Sequence, residues 1–401
     1  MPEAVIVSTA RSPIGRAMKG SLTTIRPDDL AAQIVEAALA KIPELDRSTV
    51  EDLMMGCGQP AGESGVNIGR VVAVLAGMPD VPGVTVNRYC SSSLQTIRMA
   101  SHAIKAGEGD VFISAGVETV SRFINGMADD GPTNERFAEA MARTASRGNG
   151  EGGAWTPPSG LPDVYIAMGQ TAENVAEYEK VSRQEQDEFA AQSQQRATES
   201  LENGYWEMEI TPVTLPDGTV VSTDDGIRPG TTAEGLAGLK PVFKPEGTVT
   251  AGNACPLNDG AAAVVVMSDT RAKELGLTPL ARIVASGVSG LNPEIMGLGP
   301  IEACRQVLGR ANMTIDDIDL VEINEAFAAQ VIPSAKELGI SWDKLNVNGG
   351  AIAVGHPFGM TGARIMGTLI NGLNKDDKTF GLESMCVGGG QGMAMIVERL
   401  S

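Results

Sequence analysis

The sequence is poor in basic residues, aromatics, histidine and cysteine. Lys and Arg number 31 against 50 Asp and Glu, a formal net charge of -19. The basic footprint that nucleic-acid binding requires is absent, so that class of partner is excluded. A small anionic ligand held by a local basic patch is still compatible with this balance. Aromatics make up 4% of the chain, so the core must be aliphatic. The two histidines, His102 and His356, lie far apart, and the five cysteines form no Cys-x-x-Cys pair. No metal site is expected from such a set. An odd number of cysteines cannot all pair, so they read as free thiols in a reducing compartment, the cytoplasm. No apolar run reaches the roughly 18 residues of a membrane helix, so no membrane association is expected. The N-terminus reads as a strand at Ala4–Ser8 and not as a presequence.

What is present is length, glycine and alternation. The 401 residues are enough for two or three domains at roughly 150 residues each. Strand-like runs at 4–9, 52–56, 84–88, 111–116, 261–267, 281–286, 320–323, 345–348, 379–386 and 393–398 alternate with helical patterns. Such alternation predicts α/β layers around a buried sheet. The run Ala262-Ala263-Val264-Val265-Val266 is continuous, as expected of a strand covered on both faces. A repeat is visible: Val86-Asn87 and Val347-Asn348 each end a strand-like run before a helical pattern. Two similar halves are the expectation. Between them, at 120–249, lies an insertion too long for a simple loop. Within it Ser182-Arg183-Gln184-Glu185 reads as a capping box, and Gly204 as the stop of the helix it opens.

Four polar junctions can carry chemistry. Cys90 stands where a strand-like run turns into a helix, and unpaired N–H groups at a helix start stabilise a thiolate. The same N–H groups could hold an oxyanion. His356 sits between Gly355 and Pro357 in a turn that leads into a helix, at the second half's counterpart of the Cys90 region. If the halves are related by a pseudo-twofold, the two loops converge as a thiol–imidazole pair. Cys386 precedes Gly388, Gly389 and Gly390, whose bare backbone could form an anion nest. Asn324 follows the strand-like run 320–323 and could hold a water or cap a helix.

With these residues in view, the chain resembles the thiolase family (acetyl-CoA C-acyltransferases) over essentially its full length. The resemblance is carried by Val86–Leu94, Thr250–Asn253, Asn258–Ala261, Asn324–Ala328, Asn346–Gly362 and Cys386–Gly390. It implies a thiolase-like α/β fold: two repeated βαβαβαββ halves packed in αβαβα layers, with an inserted loop domain. The implied division is 1–119 plus 250–270 for the first half, 120–249 for the insertion and 271–401 for the second half. The insertion would serve CoA binding and oligomer contacts, and a homodimer or homotetramer is implied.

The resemblance also implies roles. Cys90 would carry the acyl group. His356 would activate it and donate to the substrate thioester oxygen, together with a water held by Asn324. Cys386 would move the proton at the acetyl α-carbon, and the backbone N–H groups of Cys90 and Gly388 would hold the other oxyanion. The implied reaction is CoA-dependent cleavage of 3-ketoacyl-CoA to acyl-CoA and acetyl-CoA, as in fatty-acid β-oxidation, or its reverse. No cofactor is needed, because CoA is a substrate. Met168, Met296 and Phe327 would line the acyl or pantetheine channel, with ordinary core as the plainer reading.

The sequence departs from the family pattern in places. Cys255 stands where a small residue or serine often meets the pantetheine arm, Ala167 where acetoacetyl-CoA-forming members carry histidine, and Ser93 where glycine is commoner. Arg228, within Gly226–Gly230, is the expected anchor for the CoA phosphates. A decarboxylating ketosynthase of the same superfamily uses Cys with two His or with His and Asn, and Cys386 is the thiolase-type residue instead. His102 is twelve residues beyond Cys90 on the same predicted helix, about 18 Å along its axis, too far to share the site. A non-catalytic lipid carrier would have no use for all four reactive residues.

Overall fold

The computed structural model describes residues 2–123 and 131–401. In the first half, β1 (Ala4–Arg11), β2 (Asp52–Gly56), β3 (Gly83–Val86), β4 (Val111–Thr119) and β5 (Asn258–Ser268) alternate with α1 (Pro27–Ala40), α2 (Ile68–Leu75) and α3 (Ser92–Ala106). The insertion carries α4 (Ala138–Gly148), α5 (Met168–Tyr178), α6 (Arg183–Glu202) and α7 (Tyr205–Glu209). The second half contains β6 (Ala281–Gly290), α8 (Gly299–Ala311), β7 (Leu320–Ile323), α9 (Ala328–Leu338), α10 (Thr361–Lys375), β8 (Phe380–Val387) and β9 (Gln391–Arg399).

Strand order runs β7-β8-β9-β6-β1-β5-β4-β2-β3. The halves meet at a short β1–β6 seam, where Val5 faces Arg282 and Ile6 faces Ala281. Alternation along the strands builds three apolar layers. In β5, Ala261, Ala263 and Val265 face the outer helices α1 and α2. Ala262, Val264 and Val266 face a central layer that holds Leu94 and Ile97 of α3 and Ile365 and Leu369 of α10. The second half's outer face packs Leu382, Ala394 and Ile396 against α8 and α9. Helices, sheet, helices, sheet, helices is the αβαβα stack, with α3 and α10 at its centre.

The second half departs from the expected repeat at 345–348, which is no strand. Only a single bridge links Leu345 to Val321. Asn346 turns the chain left-handed, at φ 45°. Its carboxamide replaces the missing ladder: Oδ1 accepts from the Ile323 N–H and Nδ2 donates to the Ile323 carbonyl, both at 2.9 Å.

In the insertion, the capping box at Ser182 and Glu185 is formed. Arg11 of β1, fully buried, anchors this segment to the first half. Its guanidinium bonds Glu209 at 2.5 Å and Asp224 at 2.7 Å. Replacing Arg11 by methionine leaves two buried carboxylates uncompensated, so a loss of about 3–5 kcal/mol is expected. Urea unfolding followed by tryptophan fluorescence reads it, because Trp206 packs against the Arg11 guanidinium.

Candidate active site

Cys90 lies in a single tight turn, Tyr89–Ser91, that feeds α3. Asn87 and Ser92 shape that turn by accepting the N–H groups of Tyr89 and Arg88. Ser93 Oγ accepts the Ala363 N–H at 2.9 Å, stitching the start of α3 to the start of α10. The thiol at Cys90 is buried. Its pKa corrects the expectation from sequence. The N–H groups of Gly388 and Cys90 itself do favour the thiolate, but burial outweighs them and pushes the thiol up to about 11. The nucleophile therefore rests as a thiol and must lose its proton as it attacks.

His356 is buried in the turn that leads into α10. Burial, with Arg364 adding to it, lowers its pKa to about 3, so the ring is neutral at physiological pH. The tautomer follows from the hydrogen bonds. Thr361 Oγ1 spends its own proton on the Pro357 carbonyl at 2.8 Å. It must therefore accept from His356 Nδ1, 2.6 Å away. Nε2 is left carrying the lone pair, which accepts from the Asn324 amide nitrogen at 3.3 Å. The turn is held from the first half as well, because the His356 N–H donates to Asn258 Oδ1 at 2.9 Å. Gly355, at φ 114°, leaves room for this contact. A Cβ there would press on the Asn258 carboxamide.

Asn324 caps the end of β7 and donates its own N–H to the Ser384 carbonyl at 2.9 Å. Its Oδ1 is buried and has no protein partner. An orphaned acceptor beside a neutral imidazole is where a bound water or a substrate group completes the site. Cys386, near the end of β8, is buried, with its sulfur 3.4 Å from Gln330 Oε1. Burial first, then the nearby Cys90 and Cys255, hold its pKa well above the ordinary thiol value. Gly388 directs its N–H at Cys90. Cys90 of the first half thus meets Cys386 and Gly388 of the second, and His356 meets Asn324 within the second half.

The apolar expectations meet here too. Met168, Met296, Phe327 and Cys255 pack in one small cluster that includes Cys386. A Cβ on Gly388 would lie 3.7 Å from the Met168 sulfur. Cys255 also lines a cavity of about 310 Å³ that includes Arg16, Arg228, Gln194 and Phe243. The Arg228 N–H donates to Gln194 Oε1 at 2.8 Å, and its guanidinium makes no ion pair among the described residues. Ala167 precedes the first turn of α5, just before Met168. His102 lies exposed on α3 and takes no part.

Sequence reasoning missed the residues that hold these groups in place. Glu118, at the end of β4, accepts from the N–H groups of Gly58 at 2.7 Å and Gly359 at 2.9 Å, tying the His356 turn to the first half. Burial pushes its pKa up to about 7. Glu325 accepts from Ser193, Asn346 and the Ile352 N–H, fixing the loop that leads to His356. The signal for Glu325 was its place beside Asn324; Glu118 had none, because its partners are remote in sequence. Among the described residues no group of three His, Cys, Asp or Glu side chains could hold a metal ion. No described helix is long and apolar enough to cross a membrane.

Comparison with known proteins agrees with this geometry. Residues 4–270 match the family description "Thiolase, N-terminal domain", and residues 277–399 match "Thiolase, C-terminal domain". A beta-ketoadipyl-CoA thiolase of Acinetobacter baylyi is 44% identical over 412 residues, covering 100% of both chains. A 3-ketoacyl-CoA thiolase of Bacillus subtilis is 43% identical over 411 residues, covering 99% of this chain and 100% of its own. The crystal structure of the Bacillus anthracis acetyl-CoA acetyltransferase superposes with a TM-score of 0.87 at 38% identity, covering 100% of this chain and 99% of that one. The chain belongs to the thiolase family of acyltransferases.

Proposed function

We propose that the protein cleaves 3-ketoacyl-CoA with CoA, giving acetyl-CoA and a shortened acyl-CoA through an acyl group on Cys90. The observation that carries this reading is a pair of neighbouring buried thiols, one of them receiving the Gly388 N–H, together with a buried neutral imidazole set against Asn324, whose amide oxygen has no protein partner. Cys90 sulfur attacks the ketone carbon as its proton passes to His356 Nε2. The developing oxyanion falls to the N–H groups of Cys90 and Gly388. The C2–C3 bond breaks, and its electron pair forms the enolate of acetyl-CoA. That enolate oxygen is held by protonated His356 and a water on Asn324, and the Cys386 thiol protonates its carbon. The Cys386 thiolate then takes the proton of an incoming CoA thiol. CoA attacks the acyl group on Cys90, and the departing thiolate recovers its proton from His356. Atoms and protons balance, and no cofactor is needed.

Two neutral thiols and a neutral imidazole suit this route, because no charge is buried until the transition state creates one. The reverse Claisen condensation uses the same groups in reverse order. The relatives named for beta-ketoadipyl-CoA make a carboxylated 3-ketoacyl chain a natural test substrate beside linear ones of the kind fatty-acid β-oxidation supplies.

The CoA phosphates are assigned to Arg228, with Arg16 beside it in the same cavity. Arg228→Ala is expected to raise the KM for CoA about 10- to 150-fold with kcat within twofold, as loss of a charge-assisted hydrogen bond worth roughly 1.5–3 kcal/mol does. An unchanged KM would remove Arg228 from that role. Division at 1–119 plus 250–270, 120–249 and 271–401, and assembly as a homodimer or homotetramer, are part of the same proposal. The open edge at β3, which pairs only with β2 among the described residues, supports assembly. Working thiols favour a reducing, cytoplasmic location.

A further inference from the structure

The turn that presents the Gly388 N–H is built of glycine and closes the β8–β9 hairpin. Gly388, Gly389 and Gly390 have no side chains, and the last two sit at φ 78° and 80°. Glycine loses more conformational freedom on ordering than any other residue. A donor aimed at a developing oxyanion must nevertheless be held within a fraction of an ångström.

The far end of the turn is held by the Leu291 N–H on the Gly390 carbonyl at 2.8 Å, and its Gly388 end by two side chains that the mechanism does not use. Gln391 Nε2 donates to the Gly388 carbonyl at 3.3 Å. Gln391 Oε1 in turn accepts from Arg88 Nη1 at 2.6 Å, which fixes the way the carboxamide faces. Arg88 Nε donates to Gln95 Oε1 at 3.0 Å, so the guanidinium is held on α3. The backbone of Arg88 also builds the nucleophile turn: its N–H goes to Ser92 Oγ at 2.9 Å, and its carbonyl accepts the Ser91 N–H at 3.0 Å. One residue therefore grips both sides of the Cys90–Gly388 gap. It does so without forming an ion pair to any carboxylate among the described residues.

We propose that Arg88 and Gln391 are positioning residues: Arg88 orients the Gln391 carboxamide, and Gln391 anchors the Gly388 carbonyl, fixing the φ and ψ of that glycine so that its N–H, in the preceding peptide, stays aimed at Cys90. Neither touches the reacting atoms. The kinetic part rests on the thiolase reading above. Gly388 also stabilises the Cys90 thiolate, so a second readout needs no thiolase substrate.

The test uses Gln391→Met, which keeps length and loses both hydrogen bonds, and Arg88→Lys, which cannot bridge Gln95 and Gln391 together. In Gln391→Met, kcat is expected to fall about 10- to 100-fold, less than the roughly 10²- to 10³-fold loss from removing an oxyanion donor outright. KM for CoA should stay within twofold. The pH dependence of iodoacetamide alkylation at Cys90, read by peptide mass mapping, should move to higher pH. Arg88→Lys should move both readouts the same way by less, and it stands in should Gln391→Met lose its fold. A kcat within twofold of the parent overturns the proposal. So does a fall in kcat with the alkylation profile unmoved, because the effect would then not run through the Gly388 N–H. If the parent enzyme cleaves no 3-ketoacyl-CoA, the thiolase reading fails, and the alkylation profile still decides the positioning role.

Discussion

Cys90→Ala is expected to lower thiolysis by at least about 10⁴-fold and to abolish acyl-enzyme entirely, since without the sulfur no covalent intermediate can form. Cys386→Ala is expected to behave differently. Its sulfur faces Gln330 and the apolar cluster, and it feels Cys90 as a neighbouring charge without serving as its base. Cys90 in that variant should still take an acetyl group from acetyl-CoA, while carbon–carbon chemistry stops. Intact-mass spectrometry after incubation with acetyl-CoA separates the two. One added acetyl is expected in Cys386→Ala and none at position 90 in Cys90→Ala. Acetylation at the parent level in Cys90→Ala would be incompatible with this assignment of the nucleophile.

His356→Ala is the second large effect, an expected loss of about 10²- to 10⁴-fold in kcat from removal of a general base. The pH dependence carries more information than the size of the loss. An exposed imidazole would protonate near its ordinary pKa of about 6.5 and cut activity on the acid side. Burial holds His356 down at about 3, so it stays an acceptor throughout the neutral and mildly acidic range. The Cys90 thiol is pushed the other way, to about 11. For the parent enzyme, kcat/KM should therefore show no break near pH 6.5 from His356. Between the His356 and Cys90 values the thiol and the imidazole keep one protonation state, so the parent profile should be flat, whereas in His356→Ala the residual rate should rise with pH toward the thiol value, where alkali ionises the thiol directly. A steep acid limb centred at pH 6.5 that disappears in His356→Ala would show a solvated imidazole.

Thr361 and Asn258 are what make a lone histidine usable. Thr361 dictates the tautomer from the first turn of α10, and Asn258 fixes the backbone from the first half. Neither role was legible in the sequence: Asn258 acts across a long sequence separation, and Thr361, though only five residues on, acts through the turn that folds it back onto the ring. The reactive residues themselves were legible because each stands at a junction between a strand-like run and a polar or glycine turn. The α/β layering was legible too, from runs such as Ala262–Val266 that are covered on both faces.

Two misreadings share a physical cause. The 345–348 run has the apolar pattern of a strand, yet Asn346 spends its side chain doing the ladder's work while its backbone turns away. Cys90 has the helix-start setting of an activated thiolate, yet the cost of burying its charge exceeds what two N–H groups return. In both cases the local pattern was read correctly and the surrounding packing decided the outcome.

The thiolase claim is tested most directly by following the enolate–magnesium absorbance of 3-ketoacyl-CoA substrates, linear and carboxylated, on addition of CoA. Loss of absorbance that requires CoA, with acetyl-CoA and the shortened acyl-CoA appearing in equal amounts, is the predicted result. No CoA-dependent loss at any chain length, from a folded protein with its Cys90 thiol intact, would contradict it.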